Sequence, residues 1–393
     1  MIPYSRQSIS QSDIDTVIEV LRSDYLTQGP WISRFERSVA SFCGGQHAVA
    51  VNSATSALHI ACLALELGPG DWLWTTPITF VASANCALYC GAKVDFVDID
   101  PRTYNMCPEA LAQKLASAKK AGTLPKVVVP VHLCGQPCDM ARIHALSQQY
   151  GFKVIEDASH AISAKYRACG QGGDFEPVGN CRYSDITVFS FHPVKIITTA
   201  EGGMALTNEP LLANRLQRLR SHGITSDPTE MQPRPAGEIW NYQQIRLGYN
   251  YRMTDMQAAL GVSQMERLQA FVEQRHRIAE RYDTELADLS IQLPWQSPDS
   301  YSSYHLYPIR VRPDVSGVSQ RELYDALQAA GINVNLHYIP VYRQPFYEAM
   351  GFKAGYCPEA EAYFRQALSI PMYPTLSEAE QGQVIQVLTE ALA

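Results

Sequence analysis

Residues 186–207 read ITVFSFHPVKIITTAEGGMALT. ITVFSF (186–191) is short, rich in β-branched and aromatic residues, and apolar on both alternations, the mark of a strand covered on both faces. GMALT (203–207) repeats that character after a turn of threonine and glycine, and His192 and Lys195 stand between the two runs. Working outward, five more runs of this kind precede them: HAVAVNS (47–53), DWLWTTP (71–77), KVDFVDID (93–100), KVVVPVHL (126–133) and FKVIEDA (152–158). The stretches TSALHIACLALEL, FVASANCALYC, PEALAQKLASAKK, DMARIHALSQQY and PLLANRLQRLR, between or after these runs, carry apolar residues at helical spacing. Alternation of this kind predicts an α/β fold with a central, mostly parallel sheet and helices on both faces.

The rest of the chain changes character twice. Residues 222–252 are rich in Pro, Gly and aromatics and read as a long loop. TDMQAALGVSQMERLQAFVEQRHRIAERYDTELADL (254–289) then predicts one long helix, leading to a smaller α/β unit with a strand in HLYPIRV and helices in QRELYDALQAAG and SEAEQGQVIQVLTEALA. The expected division is a large domain over 1–255, and a linking helix with a small C-terminal domain over 256–393.

Composition narrows the function classes. Charged residues are 18% of the 393 and hydrophobic ones 46%, against roughly 25% charged in typical soluble domains. That balance implies a large core or a covered interface and argues against disorder. A net charge of −7 without Lys/Arg clusters excludes a nucleic-acid partner as an expectation. The first residues carry no basic segment followed by an apolar one, and no apolar run reaches the roughly 18 residues of a membrane span, so a cytoplasmic protein is expected. The ten cysteines read as reduced, small buried hydrophobes; Cys134, Cys138 and neighbouring His132 lack the paired C-x-x-C spacing of a zinc site.

Ligands of open parallel sheets bind beyond the carboxyl ends of the strands. HAVAVNS runs into Ser53-Ala54-Thr55-Ser56 at a helix start, where free N–H groups suit a phosphate; a plain helix cap explains the same residues equally well. DWLWTTP leads to Thr79 and Phe80, FKVIEDA to Asp157, Ser159 and His160, and ITVFSF to Ser190, His192 and Lys195. A lysine and a carboxylate on neighbouring strand ends beside a phosphate cradle are what pyridoxal 5'-phosphate requires: an amine for its aldehyde and an acid for its ring nitrogen. Each residue alone is an ordinary solvated lysine or helix-capping aspartate; their joint order carries the reading.

At these residues the chain resembles the DegT/DnrJ/EryC1/StrS sugar aminotransferases, within the fold-type I pyridoxal-phosphate transferases. The resemblance rests on LTQGPWISRFE (26–36), NSATSALHIA (52–61), TPITFVASANCALYCGAKVDFVDID (76–100), VHLCGQPCDM (131–140), IEDASHA (155–161), FSFHPVKIITTAEGG (189–203) and LGYNYRMTDMQAALG (247–261). The branch it looks most like makes a 4-amino sugar of the pseudaminic-acid pathway, which is similar to the perosamine, bacillosamine and aminoarabinose enzymes. The resemblance implies Lys195 as the covalent anchor and acid/base and Asp157 as the ring-nitrogen partner. It implies Phe80 as the stacking aromatic, and Ala54, Thr55 and Ser190 as phosphate ligands, with Ser159 and His160 also at the cofactor. Asn250 would reach the phosphate from a second subunit, so a homodimer with shared active sites is implied. Tyr4, the segment Asp24-Tyr25-Leu26-Thr27, and His305-Leu306-Tyr307 fall where the sugar nucleotide is contacted.

The implied reaction moves an amino group from L-glutamate to a UDP-linked 4-keto sugar. Ile196 departs from the residues relatives often carry after the lysine and should shape the pocket. A dehydratase branch has histidine in place of the lysine; here that position is Lys195 and His192 lies three residues earlier. Competing readings are a non-catalytic cofactor-binding regulator, and a nicotinamide dehydrogenase, for which no G-x-G-x-x-G follows the first strand; the glycines at 170–173 belong to a loop.

Overall fold

The computed structural model describes residues 1–167, 173–235, 237 and 242–392; glycines 170–172 lie outside the described residues. Seven strands form one sheet: β1 (His47–Val51), β2 (Trp72–Thr75), β3 (Lys93–Phe96), β4 (Val127–Val129), β5 (Lys153–Asp157), β6 (Ile186–Ser190) and β7 (Gly203–Thr207). Their order is β1-β7-β6-β5-β4-β2-β3. Strands β6, β5, β4, β2 and β3 pair in parallel, while β7 runs antiparallel to both β1 and β6.

The continuous hydrophobicity of the strands follows from cover on both faces, because successive side chains point opposite ways. Val49, Val51, Val127, Val129, Ile155 and Val188 enter one core with helices α3 (Ala54–Ala64), α4 (Ala82–Tyr89) and α7 (Pro210–Arg220). Ala50, Val128, Val154 and Phe189 enter the other. There they meet α2 (Pro30–Cys43), α5 (Pro108–Ala121), α6 (Met140–Tyr150) and α8 (Asp255–Met265), which packs on α1 (Gln11–Leu21) and α2.

The expected long helix is two. α8 ends at Met265 and α9 spans Leu268–Glu285. Between them lies a turn at 266–267, where the Arg267 guanidinium is held by the Asp13 carboxylate and the Ser8 carbonyl. The break turns the chain toward a third core, in which Ile278, Ala279 and Tyr282 of α9 pack with a three-stranded antiparallel sheet (291–292, 307–311, 367–370) and the helices Gln320–Ala329 and Glu378–Leu392. Ile2 belongs to this core too, pairing with Ile332. Region 222–252 is less irregular than expected, since Ile224–Thr225 pairs with Gln243–Gln244. Among the described residues no helix is long and apolar enough to cross a membrane. Of the nine described cysteines, all are free thiols and all but Cys107 are buried.

Two buried charges fasten distant segments. Arg275 on α9 has no exposed surface, and its Nη1 donates to the carbonyls of Tyr304, His305 and Met372 at 3.1, 3.1 and 2.9 Å. Asp255, also fully buried, accepts from the backbone N–H of Gly29 at 2.7 Å and of Trp31 at 2.9 Å, capping α2 from a residue over two hundred positions away. Removing a charged acceptor leaves buried N–H groups without partners, at about 1–3 kcal/mol each. Asp255→Ala is therefore expected to lower stability by about 2–6 kcal/mol in urea unfolding; a loss under about 0.5 kcal/mol, the range of ordinary surface changes, would contradict this role.

Candidate active site

The parallel strands β2, β4, β5 and β6 deliver their carboxyl ends to one edge of the sheet, and a cavity of about 670 Å³ opens there. Ala54, Thr55, Phe80, Asp157, Ser159, His160, Ser190, Lys195, Tyr4 and His305 all line it.

Asp157 ends β5 with its carboxylate oriented by three donors. Oδ2 accepts from Ser83 Oγ at 2.6 Å, and Oδ1 accepts from Ser159 through both its backbone N–H at 3.1 Å and its hydroxyl at 2.6 Å. Because the Ser83 proton is spent on Asp157, Thr79 donates to Ser83 at 2.8 Å, extending the chain of bonds. Lys195 follows β6 in a tight turn, with its N–H on the His192 carbonyl at 2.9 Å. Burial lowers the Lys195 amine from 10.5 to about 8, against the opposing pull of Asp157 and Cys134.

The opposite wall is built of uncharged imidazoles. Burial first, then the Lys195 charge, pushes His160 well below the ordinary histidine range; burial, then His160 and Lys195, does the same to His305; and burial and Lys195 lower His337 to about 3. His160 Nδ1 accepts from the Cys134 N–H at 3.3 Å, leaving its proton on Nε2, which faces the Tyr338 hydroxyl at 3.4 Å. The rings of His160 and His305 lie 4.3 Å apart, and His305 Nδ1 is buried without a partner.

A further wall is backbone. Ser53 caps α3, accepting from the Ser56 N–H at 3.1 Å, so the turn 53–55 presents a helix N-terminus to the cavity. Gly203 at the start of β7 lies directly against it: a Cβ there would come within 2.5 Å of Ala54 N and of Ser53 C.

The structure leaves other expected residues outside this cavity. Leu306 and Tyr307 are core residues, 1% and 0% exposed; Tyr307 opens the strand 307–311 and sits in the third core, where its hydroxyl donates to Asp283 at 2.5 Å and its ring packs on Tyr282. Asp24, Tyr25, Leu26, Thr27 and Asn250 are exposed, the last pairing through its backbone with Ser221. His132, at a strand end, is buried on Glu156 at 2.8 Å. Sequence reading missed Ser83, Glu201, Asn335, His337, Tyr338 and Gln344. Thr79 and Ser83, four residues apart across the start of α4, were a usable signal for the first; the C-terminal residues carried none, since only the tertiary fold brings 335–344 to the sheet edge.

A lysine whose pKa burial lowers to about 8, a fixed carboxylate, a helix N-terminus shaped by a glycine and an exposed aromatic at Phe80 fit pyridoxal phosphate in donor chemistry and in shape. Comparison with known proteins agrees. Residues 7–389 match the DegT/DnrJ/EryC1/StrS aminotransferase family. The chain is 36% identical over 392 residues to the Bacillus subtilis spore coat polysaccharide biosynthesis protein SpsC, covering 99% of this chain and 96% of that protein. It is 37% identical over 378 residues to a Campylobacter jejuni UDP-4-amino-4,6-dideoxy-N-acetyl-beta-L-altrosamine transaminase, covering 96% and 94%. Among solved structures, Helicobacter pylori PseC, an aminotransferase of pseudoaminic acid biosynthesis, superposes with a TM-score of 0.88 at 28% identity, covering 100% and 99%. The PMP-form of the putative sugar aminotransferase Spr1654 from Streptococcus pneumoniae gives 0.87 at 31%, with the same coverage.

Two outcomes follow from this geometry. Only the uncharged amine reacts with acylating reagents, so a lowered pKa moves labelling to lower pH. Lys195 of the cofactor-free protein should label half-maximally near pH 8, read by peptide mass spectrometry, and a midpoint near 10.5 would contradict the burial argument. Gly203→Ala must push the 53–55 turn; it should cost about 1–3 kcal/mol of stability and weaken pyridoxal phosphate in a fluorescence titration, and unchanged affinity would show that the turn is not part of the cradle.

Proposed function

The chain belongs to the DegT/DnrJ/EryC1/StrS aminotransferase family, and from that premise we propose that it aminates C4 of a UDP-linked 4-keto-6-deoxy sugar with L-glutamate as donor. The substrate of this reading is UDP-2-acetamido-2,6-dideoxy-beta-L-arabino-hexos-4-ulose, and the products are UDP-4-amino-4,6-dideoxy-N-acetyl-beta-L-altrosamine and 2-oxoglutarate. The observation that carries it is Lys195, an amine lowered to about 8 in a cavity shared with Asp157. The names of the Campylobacter and Helicobacter relatives support the choice of sugar. The bacillosamine-, perosamine- and aminoarabinose-type substrates are the alternatives.

Pyridoxal phosphate, when bound, supplies an aldehyde that takes up amines and a ring nitrogen that draws electrons from the reacting carbon. Lys195 would hold the aldehyde carbon, Asp157 the ring nitrogen, and Phe80 one face of the ring. The N–H groups of Ala54 and Thr55 and the Ser190 hydroxyl would hold the phosphate, and Ser159 and His160 flank the ring. Freed from its covalent role, the Lys195 amine takes the α-proton of the amino donor and, in the second half-reaction, delivers a proton to C4 of the sugar. This task needs the uncharged amine, and burial, by lowering the pKa to about 8, makes that form far more available near neutral pH than in an exposed lysine. Ser83 and Ser159 keep the Asp157 carboxylate aimed while the charge on the ring changes.

Tyr4 and His305 on the cavity wall are placed to meet the sugar. Asn250 and the exposed segment Asp24–Thr27 are absent from their own chain's cavity, which suits a homodimer in which each copy completes the other's site. A cytoplasmic enzyme acting on a soluble sugar nucleotide fits this reading.

Purified enzyme should be yellow and bleach on addition of L-glutamate, and the product formed from the UDP-4-keto sugar should carry the amine at C4 by mass spectrometry and NMR. Lys195→Ala should abolish multiple turnover; full activity in that variant, or a wild type blind to glutamate, would sink the reading.

A further inference from the structure

The lysine of the cavity stands on a turn outside the sheet. β6 ends at Ser190, and the loop that follows is pinned at its base, where the Phe191 N–H meets the Gly202 carbonyl at 2.9 Å and the Thr199 N–H meets the Phe191 carbonyl at 3.0 Å. Within the loop Ile196 and Ile197 are buried in the core that α8 covers, but His192 is exposed and Pro193 and Val194 are half-buried. Pro193 takes the second position of a β-turn, which suits its fixed φ, and the Lys195 N–H closes that turn on the His192 carbonyl at 2.9 Å. The turn thereby holds one edge of the peptide that joins Val194 to Lys195, its N–H.

The other edge is held from the far end of the sequence. The buried Ser5 hydroxyl donates to the Val194 carbonyl at 3.0 Å, across 189 positions. A peptide unit is planar, so fixing its N–H and its C=O sets the direction in which the Lys195 backbone and side chain leave it. Ser5 is itself fastened on both sides. The Ile2 N–H donates to the Gly331 carbonyl and the Asn333 N–H to the Ile2 carbonyl, both at 2.8 Å, and the Met372 N–H reaches the Tyr4 carbonyl at 3.0 Å. Beyond it the Ser8 carbonyl accepts from Gln264 Nε2 on α8 at 2.9 Å. Residues 2–8 are thus a strap tied to the small C-terminal unit at one end and to α8 at the other. The Tyr4 ring, one residue before Ser5, lines the cavity with its centroid 5.3 Å from that of His337.

We propose that Ser5 is a positioning residue for Lys195: its hydroxyl, carried by the strap, clasps the lysine turn at Val194 and aims the amine into the cavity. The proposal rests on the role given to Lys195 above. It gives the N-terminal segment a task in the reaction, because an amine that first holds a carbon and then moves a proton must return to one place in each half-reaction. The strap also gives the two sides of the cavity a common reference. The unit that brings His337 and Tyr338 to the site and the turn that carries Lys195 are fastened to the same few residues.

In Ser5→Ala the turn keeps its closing bond and loses the outer one, so the amine leaves its buried position more often. In the full-length chain freed of cofactor, Lys195 should then acylate half-maximally at a higher pH than in the wild type, displaced from about 8 toward the ordinary 10.5, while exposed Lys120 labels as before. In the cofactor-loaded enzyme kcat per bound cofactor should fall about 10- to 100-fold, with the KM for L-glutamate little changed. Ser5→Thr keeps the hydroxyl and should restore both readouts, which a role in stability alone would not move in folded protein. A Ser5→Ala chain whose Lys195 labelling midpoint or kcat equals the wild type would overturn the proposal, as would a Ser5→Thr chain as impaired as Ser5→Ala. Should Ser5→Ala fail to fold, Ser5→Cys, with its weak S–H donor, is judged by the same criteria. A wild type without transamination whose Lys195 labelling still depends on Ser5 would remove the functional reading and keep the clasp; transamination with labelling indifferent to Ser5 would do the reverse.

Discussion

The backbone of Gly203 runs against Ser53 and Ala54 with no room for a side chain, and the catalytic edge is built on that contact. It exists because β7 alone runs antiparallel, threading between β1 and β6. A strand entering the sheet from the edge where its neighbours leave must begin where their loops gather. Its first residue therefore presses on the turn after β1 at close range. Any larger residue would lift the start of α3 away from Ser190 and Lys195, and with it the N–H groups that face the cavity. The parallel strands supply the functional side chains, and the antiparallel one sets how close a helix end can come to them.

Charge in the cavity is sparse and deliberate. Three imidazoles, His160, His305 and His337, are held neutral, and Lys195 is pushed toward neutrality by the same burial. Asp157 is the carboxylate at the centre, and hydroxyls fix its direction without neutralising it. A protein with net charge −7 can thus bind a phosphorylated ligand through main-chain N–H groups and hydroxyls, with little cationic surface. The low charged fraction has a structural counterpart in a sheet buried on both faces.

Much of this was legible in the sequence because it depends on local pattern. All seven strands of the main sheet lie in runs chosen by apolar character alone, and Asp157, Ser190 and Lys195 stand at or just past strand ends, where topology makes position equal to proximity. Features set by tertiary contact were not legible. The apolar period runs unbroken through 254–289, yet the helix breaks at 266–267, where the Arg267 guanidinium is bound by Asp13 from the far end of the chain. Tyr307 stands two residues from His305 in sequence, but it opens the strand 307–311 and packs in the third core. Tyr338 and His337 reach the site only because the C-terminal unit folds back over the sheet edge.

Arg275 gives that return a mechanical meaning. Its Nη1 alone donates to carbonyls of two chain segments, 304–305 and 372, while Nε and Nη2 are buried without partners among the described residues. A cation buried with so few partners is costly, and burial lowers its pKa to about 9. Displacing either segment would strip carbonyls from a group that has no other partners among the described residues, so the arginine ties the course of the backbone at 304–305 to that at 372.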